Sequence, residues 1–460
     1  MLFHNLDEDV LAQILLLCDV YAVVSFSRVN KSFRRLALSK QLWISLIHDL
    51  SFRYLIPHLD AMSQCTTAQL IAKVKCLVRG PETWSQRCLG GGTSRQCDSR
   101  ATCTVAMYIL TRRDVYIRAL GSTHFVWWSW ETEMLDDGHT AIFSLIVYVR
   151  GGDEPELSIL QVDLRTGHSD QLFFLTLSEF SGFYYNPIVS GDFLAMRLSR
   201  QEERMICIIN WRERKYVVFD TGYTYTPPYD YMVFVPGHII LATAAFTPND
   251  RLLLVYTWHS IASRWRPVEE LLHNMDLTVH DIRIHWNDVS AILVDKLEHN
   301  NRVFRGSSSR GLGIKMMLYA NPIRRNAYKL MVYASVMAAG RSLMDTFCRN
   351  FRGRSAQGTV LFTYALNLDA FPNHSFSWTR ISSFSVPPHA FYCLPSYAGY
   401  VAISCPNSSN YTTTKIVARL TGDGMREVMV VSTEPASSSL SSTGVLLVSR
   451  QDGIEVSCYA

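Results

Sequence analysis

The groups in this chain that could do chemistry are few and scattered. His280, Asp281 and His285 supply imidazole and carboxylate, the types a metal needs. On an extended strand, however, the two histidines alternate faces and do not converge, so a loop or satisfied surface histidine is the plainer reading. Gly90-Gly91-Gly92 lacks the Gly-Lys-Ser/Thr ending of a phosphate cradle and opens no helix, which leaves a loop. Cys88, Cys97 and Cys103 lack the close pairing of a zinc site, and none of the 11 cysteines forms a Cys-x-x-Cys pair. Neither a Gly-x-Ser-x-Gly elbow nor a His-Glu-x-x-His run occurs. Two basic stretches could meet an acidic or phosphorylated ligand. One is RGSSSRGLGIK, carrying Arg305 and Arg310; the other spans 341–354, carrying Arg349, Arg352 and Arg354. Solvated hairpin tips are the default alternative for both. The residues therefore predict no catalytic group, no metal and no cofactor.

Composition narrows the class. The chain has 460 residues, 48% hydrophobic and 18% charged, enough for roughly three domains with real cores. A net charge of +4, without a basic stripe, argues against nucleic acid. Aromatics at 12% favour a β-rich body. The apolar stretch 10–24 is broken by Gln13 and Asp19, short of the roughly 18 residues a membrane helix needs. Met1-Leu2-Phe3-His4 runs straight into Asp7, Glu8 and Asp9, unlike a secretory leader. An intracellular chain of the cytoplasm or nucleus, with reduced thiols and no membrane partner, is expected. On that reading the sequons at Asn373, Asn407 and Asn410 have no meaning.

The elements that must carry function begin at residue 5. Asn5-Leu6-Asp7-Glu8 has the form of a capping box, with acidic residues where a helix dipole favours them. Val10, Leu11, Ile14, Leu15 and Cys18 then recur at helical spacing as one apolar stripe. Asp19 caps a second helix with Val23, Phe26 and Val29 inward. Asn30 caps a third with Phe33, Leu36 and Ala37 inward and Lys31, Arg34 and Arg35 in water. Leu42, Trp43, Leu46 and Ile47 add one more turn. Three short helices bury too little among themselves to be stable alone. They are either a helical cap on the adjoining domain or a docking module covered by another protein.

The run LDEDVLAQILLLCDVYAVVSFSRVNKSFRRLALSKQLWISLI resembles an F-box, of the fungal type found ahead of a divergent β-propeller. Leu6 stands at its opening Leu, Val10-Leu11 and Ile14-Leu15 at its helix positions, 29–33 at its central stretch, and Leu42-Trp43 at its close. Asp7 stands where the family has proline, a change expected to lower affinity for the adaptor more than to disturb the fold. The resemblance implies docking onto the small adaptor of an SCF-type cullin-RING ubiquitin ligase and, through it, onto cullin. The adaptor-binding residues it implies are Leu6, Asp7, Val10, Leu11, Ile14, Leu15, Val23, Val29, Phe33, Leu36 and Trp43.

The remainder divides into 51–100 and 101–460. In the first part, Thr66 or Thr67 caps a helix with Leu70, Ile71, Val74, Leu77 and Val78 at helical spacing, stopped by Gly80-Pro81 and expected to act as a spacer. From 101 the period changes to that of short strands punctuated by turn residues. The first are expected at 104–110 and 115–120, and the last at 445–449 and 454–458. The fold class is thus α+β multidomain: a three-helix head, a helical linker and an all-β body. Its length suits a propeller of seven or eight blades of roughly 40 to 50 residues, closed by pairing the first and last strands. Around Trp211 and Trp258, ICIINWRERKYVVFD and LLVYTWHSIASRWRPVEEL both read as strand, tryptophan, polar turn, strand. Trp211 and Trp258 are 47 positions apart, and LSILQVDLRTGHSDQLFFL sits one such step earlier. The body resembles a divergent WD-repeat propeller, although Trp-Asp occurs nowhere and Gly138-His139, Gly167-His168 and Gly237-His238 are isolated. Three functions compete: a receptor for an unknown protein substrate, an adaptor-bound scaffold without ligase activity, and a propeller enzyme under a helical cap.

Overall fold

The computed structural model describes residues 6–52, 64–79, 125–135, 140–149, 156–163, 166, 168–176, 185–200, 203–220, 232–244, 251–273, 283–285, 288–299, 302–303, 312–336, 359–368, 376–386, 392–406, 413–421, 424–433, 438–440, 446–450 and 453–457. The expected strands at 104–110 and 115–120 lie outside these residues. Helices open the chain, and antiparallel sheets make up most of the region after them. The chain falls into two compact units: one of 1–102, 317–333 and 348–460, the other of 103–316 and 334–347.

Among the described residues five helices come first: α1 (Glu8–Leu17), α2 (Val20–Phe26), α3 (Lys31–Ala37), α4 (Lys40–Phe52) and α5 (Thr67–Arg79). Local chemistry sets their starts. The Asp19 carboxylate accepts the Ala22 amide at 2.7 Å, and the Asn30 side chain accepts that of Phe33 at 2.8 Å. Thr66 and Gln69 form a reciprocal capping box ahead of α5, with amide-to-side-chain bonds of 2.8 and 3.3 Å. Asn5, which opens the expected box, lies outside the described residues. The N-cap of α1 is Asp7, which makes no side-chain cap bond and takes the Leu11 amide on its carbonyl at 3.0 Å.

Two further expectations for the head are corrected. The closing turn is a full helix, α4, of 13 residues. The helix expected as a spacer, α5, is not set apart, because its Leu70, Val74 and Leu77 enter one core with Leu15, Val23, Trp43, Ile47 and Leu50. Each fully buried side chain of this size contributes about 1.5–3 kcal/mol relative to exposure, and seven-residue helices need such packing to persist.

The β region is a run of meanders. The first sheet is β1 (Phe125–Met134), β2 (Thr140–Val149), β3 (Glu156–Asp163) and β4 (Ser169–Thr176), in that spatial order. The second holds β5 (Tyr185–Ser190), β6 (Phe193–Arg200), β7 (Glu203–Asn210) and β8 (Lys215–Asp220), and the third begins with β9 (Met232–Val235), β10 (His238–Ala244) and β11 (Arg251–Thr257). The chain then makes an excursion through a tight turn of helix at His259–Arg264, β12 (Arg266–Pro267), a helix at Val268–His273 and β13 (Arg283–His285). Both β12 and β13 pair with β8, antiparallel and parallel respectively, before β14 (Leu293–Lys296) returns to β11. The stretch after Trp258 was expected as a turn and strand; it is largely helical, and only Arg266–Pro267 is extended.

A small hairpin, β15 (Glu298–His299) with β16 (Arg302–Val303), leads to two more four-stranded sheets. These are β17 (Leu312–Ala320), β18 (Ala327–Val336), β19 (Thr359–Leu368) and β20 (Phe376–Val386), then β21 (Tyr392–Pro395), β22 (Tyr400–Pro406), β23 (Thr413–Thr421) and β24 (Gly424–Thr433). The last sheet contains β25 (Ser438–Leu440), β26 (Leu446–Arg450) and β27 (Gly453–Ser457).

One turn device recurs between the first and second strands of four sheets. Gly191, Gly237, Asn326 and Gly399 sit there at φ between 54° and 84°. In each case a residue at the end of the third strand donates its amide back into that turn. Trp211 reaches Asp192 at 3.1 Å and Trp258 reaches Gly237 at 3.1 Å; Leu368 reaches Asn326 and Leu420 reaches Gly399, both at 2.8 Å. Trp211 and Trp258 are therefore equivalent positions in successive sheets. The positive φ explains three glycines and an asparagine, the residues that tolerate the left-handed region.

Candidate functional site

The helical head is the candidate site, and its geometry divides the predicted residues into two groups. On α1 the single apolar stripe resolves into two faces. Leu11 and Leu15 turn inward, 4% and 3% exposed, whereas Val10, Ile14 and Leu17 point to solvent at 46%, 38% and 78%. The outward set recurs at i, i+4 and i+7, so it is a continuous ridge. Val23, Phe33 and Trp43 are buried in the head, Leu36 and Leu6 are half-buried, and Asp7 is exposed. The indole of Trp43 donates to the Ala37 carbonyl at 2.9 Å, and Phe33 stacks on Phe26 at 4.1 Å.

Val29 is corrected from inward to outward. Helix α2 ends at Phe26, so Val29 lies past the helical register and is 66% exposed. Leu17, Tyr21 and Leu38, all large, apolar and exposed, join the surface although the sequence reading had not selected them. For Leu17 the signal was present: it continues the Val10 and Ile14 spacing, which a single merged stripe concealed.

Charged groups accompany these residues on the head. Glu8 of α1 pairs with Arg35 of α3, and Asp9, Lys31 and Arg34 are exposed. At the α1–α2 junction, burial pushes the Cys18 thiol up; the Asp19 charge adds to this and Arg325 opposes it. The thiol is held away from reactivity, as befits a packing role.

No chemical centre competes with this surface among the described residues. No three His, Cys, Asp or Glu gather there as metal ligands, and no helix is long and apolar enough to cross a membrane. His280 and Asp281, together with Arg305, Arg310, Arg349, Arg352 and Arg354, lie outside the described residues. Cys18, Cys76 and Cys207 are thiols outside any disulfide, and burial lifts Cys207 far above the ordinary range.

With the head described, comparison with known proteins assigns its class. The F-box domain family matches residues 3–45, the stretch that covers α1 to α3 and the start of α4. The chain carries an F-box domain followed by a mostly β body of several antiparallel sheets. No curated protein matches the chain. Among solved structures, hydrazine synthase of Kuenenia stuttgartiensis is 11% identical over 70% of this chain and 90% of its own, with a TM-score of 0.34. The β-propeller domain of the Trilobed protease from Pyrococcus furiosus is 6% identical over 69% and 78%, at 0.31. The WD40 domain of SCAP from fission yeast is 8% identical over 71% and 89%, at 0.27.

Proposed function

We propose that this chain is a substrate-recognition subunit of an SCF-type cullin-RING E3 ubiquitin ligase. The F-box head docks on the ligase adaptor, and through it on cullin, while the body of 101–460 binds a target protein. The observation that carries this reading is the Val10–Ile14–Leu17 ridge, left in solvent on the helix whose Leu11 and Leu15 are packed into the head. Apolar surface exposed in a row is the mark of a protein–protein contact. Leu11, Leu15, Val23, Phe33 and Trp43 serve docking indirectly, by holding the helices that present the ridge.

The repeated four-stranded meanders support a propeller body of seven or eight blades, an architecture suited to presenting loops to a target. The basic stretches carrying Arg305, Arg310, Arg349, Arg352 and Arg354 are the proposed target contacts. No catalytic residue is assigned; the contribution is proximity between the bound target and the ligase.

The test separates surface from core. Ile14→Asp in the full chain places a charge on an already exposed position, so folding is retained while adaptor binding falls on the order of a hundredfold. Adaptor binding by Ile14→Asp equal to wild type, in an assay where a known F-box protein binds, removes the docking assignment.

A further inference from the structure

The core of the head is completed by a residue from far along the chain. Ile323, in the turn between β17 and β18, packs against the cluster that holds Leu15, Val23 and Trp43. Around it the turn makes a set of directed contacts. The Tyr21 amide donates to the Ile323 carbonyl at 2.8 Å, and the Arg325 amide donates to Asp19 Oδ2 at 3.0 Å. The Arg325 guanidinium pairs with Asp49 of α4 at 3.0 Å, and that of Arg324 lies 5.4 Å from the Tyr21 ring centre.

The turn is pre-shaped for this role. The Asn321 side chain accepts the amides of Ile323 and Arg324 at 3.0 and 3.2 Å, and Asn326 takes a positive φ of 55°. Asp19 is the shared group. One carboxylate oxygen caps α2 through Ala22, and the other receives the turn. Helix α2 has only seven residues, too few to hold its place without tertiary contacts. Only Cys18 and Asp19 separate it from α1, so whatever fixes α2 also fixes the end of the exposed ridge.

We infer that the β17–β18 turn belongs to the docking module: Ile323 and Arg325 are positioning residues that lock α2, and with it Tyr21 and the α1 ridge, into the arrangement the adaptor meets. This rests on the docking reading above and extends it beyond the 3–45 stretch. A head is ready to dock only when a segment some three hundred positions later has folded against it.

Three full-length variants test this: Arg325→Ala, Arg325→Lys, and a chain in which residues 321–326 are replaced by Asn-Gly to close the hairpin short of the head. Adaptor affinity and amide exchange at Ala22 and Val23 are read together. The expected result is roughly tenfold weaker binding and faster α2 exchange in the shortened turn, an intermediate loss in Arg325→Ala, and recovery in Arg325→Lys, which keeps the charge opposite Asp49. Wild-type affinity and wild-type exchange in the shortened-turn chain overturn the inference. Should wild type itself fail to bind adaptor, the docking reading falls, and α2 exchange alone then decides whether the turn holds the helix.

Discussion

Helix α1 and strand β7 are both rich in apolar residues, and the chain treats them oppositely. Every residue from Met205 to Trp211 is buried, because the second sheet is covered on both faces. On one of them Met205, Cys207 and Ile209 meet Ile142, Leu157 and Phe173 of the first sheet. In α1 only half the apolar positions find partners, and the rest stand in water. Hydrophobicity alone distinguishes nothing here. What marks an interface is the apolar surface that remains after the chain has packed all it can.

The largest expected effect breaks the comparison at its buried end. Leu15→Asp puts an unpaired charge into the head's core, costing several kcal/mol, and abolishes adaptor binding together with the head's helical signal in circular dichroism. Ile14→Asp, one residue earlier, is expected to lose the binding while keeping that signal. Two neighbouring aspartates with the same functional defect and opposite spectra would establish the two faces; matching spectra would dissolve the distinction.

A smaller effect comes from Lys329, half-buried in β18. Its ammonium donates to the Tyr397 carbonyl at 2.5 Å and lies 4.3 Å from the ring centre. Burial lowers its pKa to about 8 from 10.5. Because the unfolded chain holds this proton more tightly, stability is lowest below pH 8 and rises as pH climbs towards 10.5. Burial raises the Tyr397 phenol to about 12, which acts in the opposite direction only above its ordinary value of 10. Between pH 8 and 10 the urea midpoint of the unit holding both residues is expected to rise by the equivalent of about 1–2 kcal/mol, after allowance for partial exposure. Lys329→Met should flatten that slope, and a slope unchanged by the substitution would place the titration elsewhere.

Much of the head was legible because caps and helical spacing are local. Asp19, Asn30 and Thr66 do what their types predict. The strands from β6 to β11 were legible too, as runs of β-branched and aromatic residues between turn residues. Strand β5 is hard to read from sequence because Pro187 argues against a strand, yet β5 is the edge of its sheet, where proline is tolerated. Strand β20, FSWTRISSFSV, is also an edge and half polar. The contact of Ile323 and Arg325 with the head was beyond local reading, since nothing in the NPIRRN stretch announces a partner near residue 19.

The smallest expected effects lie at single backbone positions. Asp7 holds φ at −59°, already suited to proline. Asp7→Pro is therefore expected to stabilise the head by about 0.5 kcal/mol and to strengthen adaptor binding slightly; a weaker complex would show that the Asp7 carboxylate is itself a contact. Gly237→Ala, at φ 77°, has open space for a methyl group but incurs backbone strain of about 1 kcal/mol, visible as a lower melting temperature.

The detour between β11 and β14 has a mechanical meaning. On its way to completing the third sheet, the polypeptide is sewn along β8 of the second by β12 and β13. Phe193 of β6 is clasped by Trp258 and Trp265 from the same detour, at 3.8 and 6.0 Å between ring centres. Neither sheet can be peeled from its neighbour without tearing that seam, so a pulling force on one is shared by both, and the pair is expected to rip as one piece.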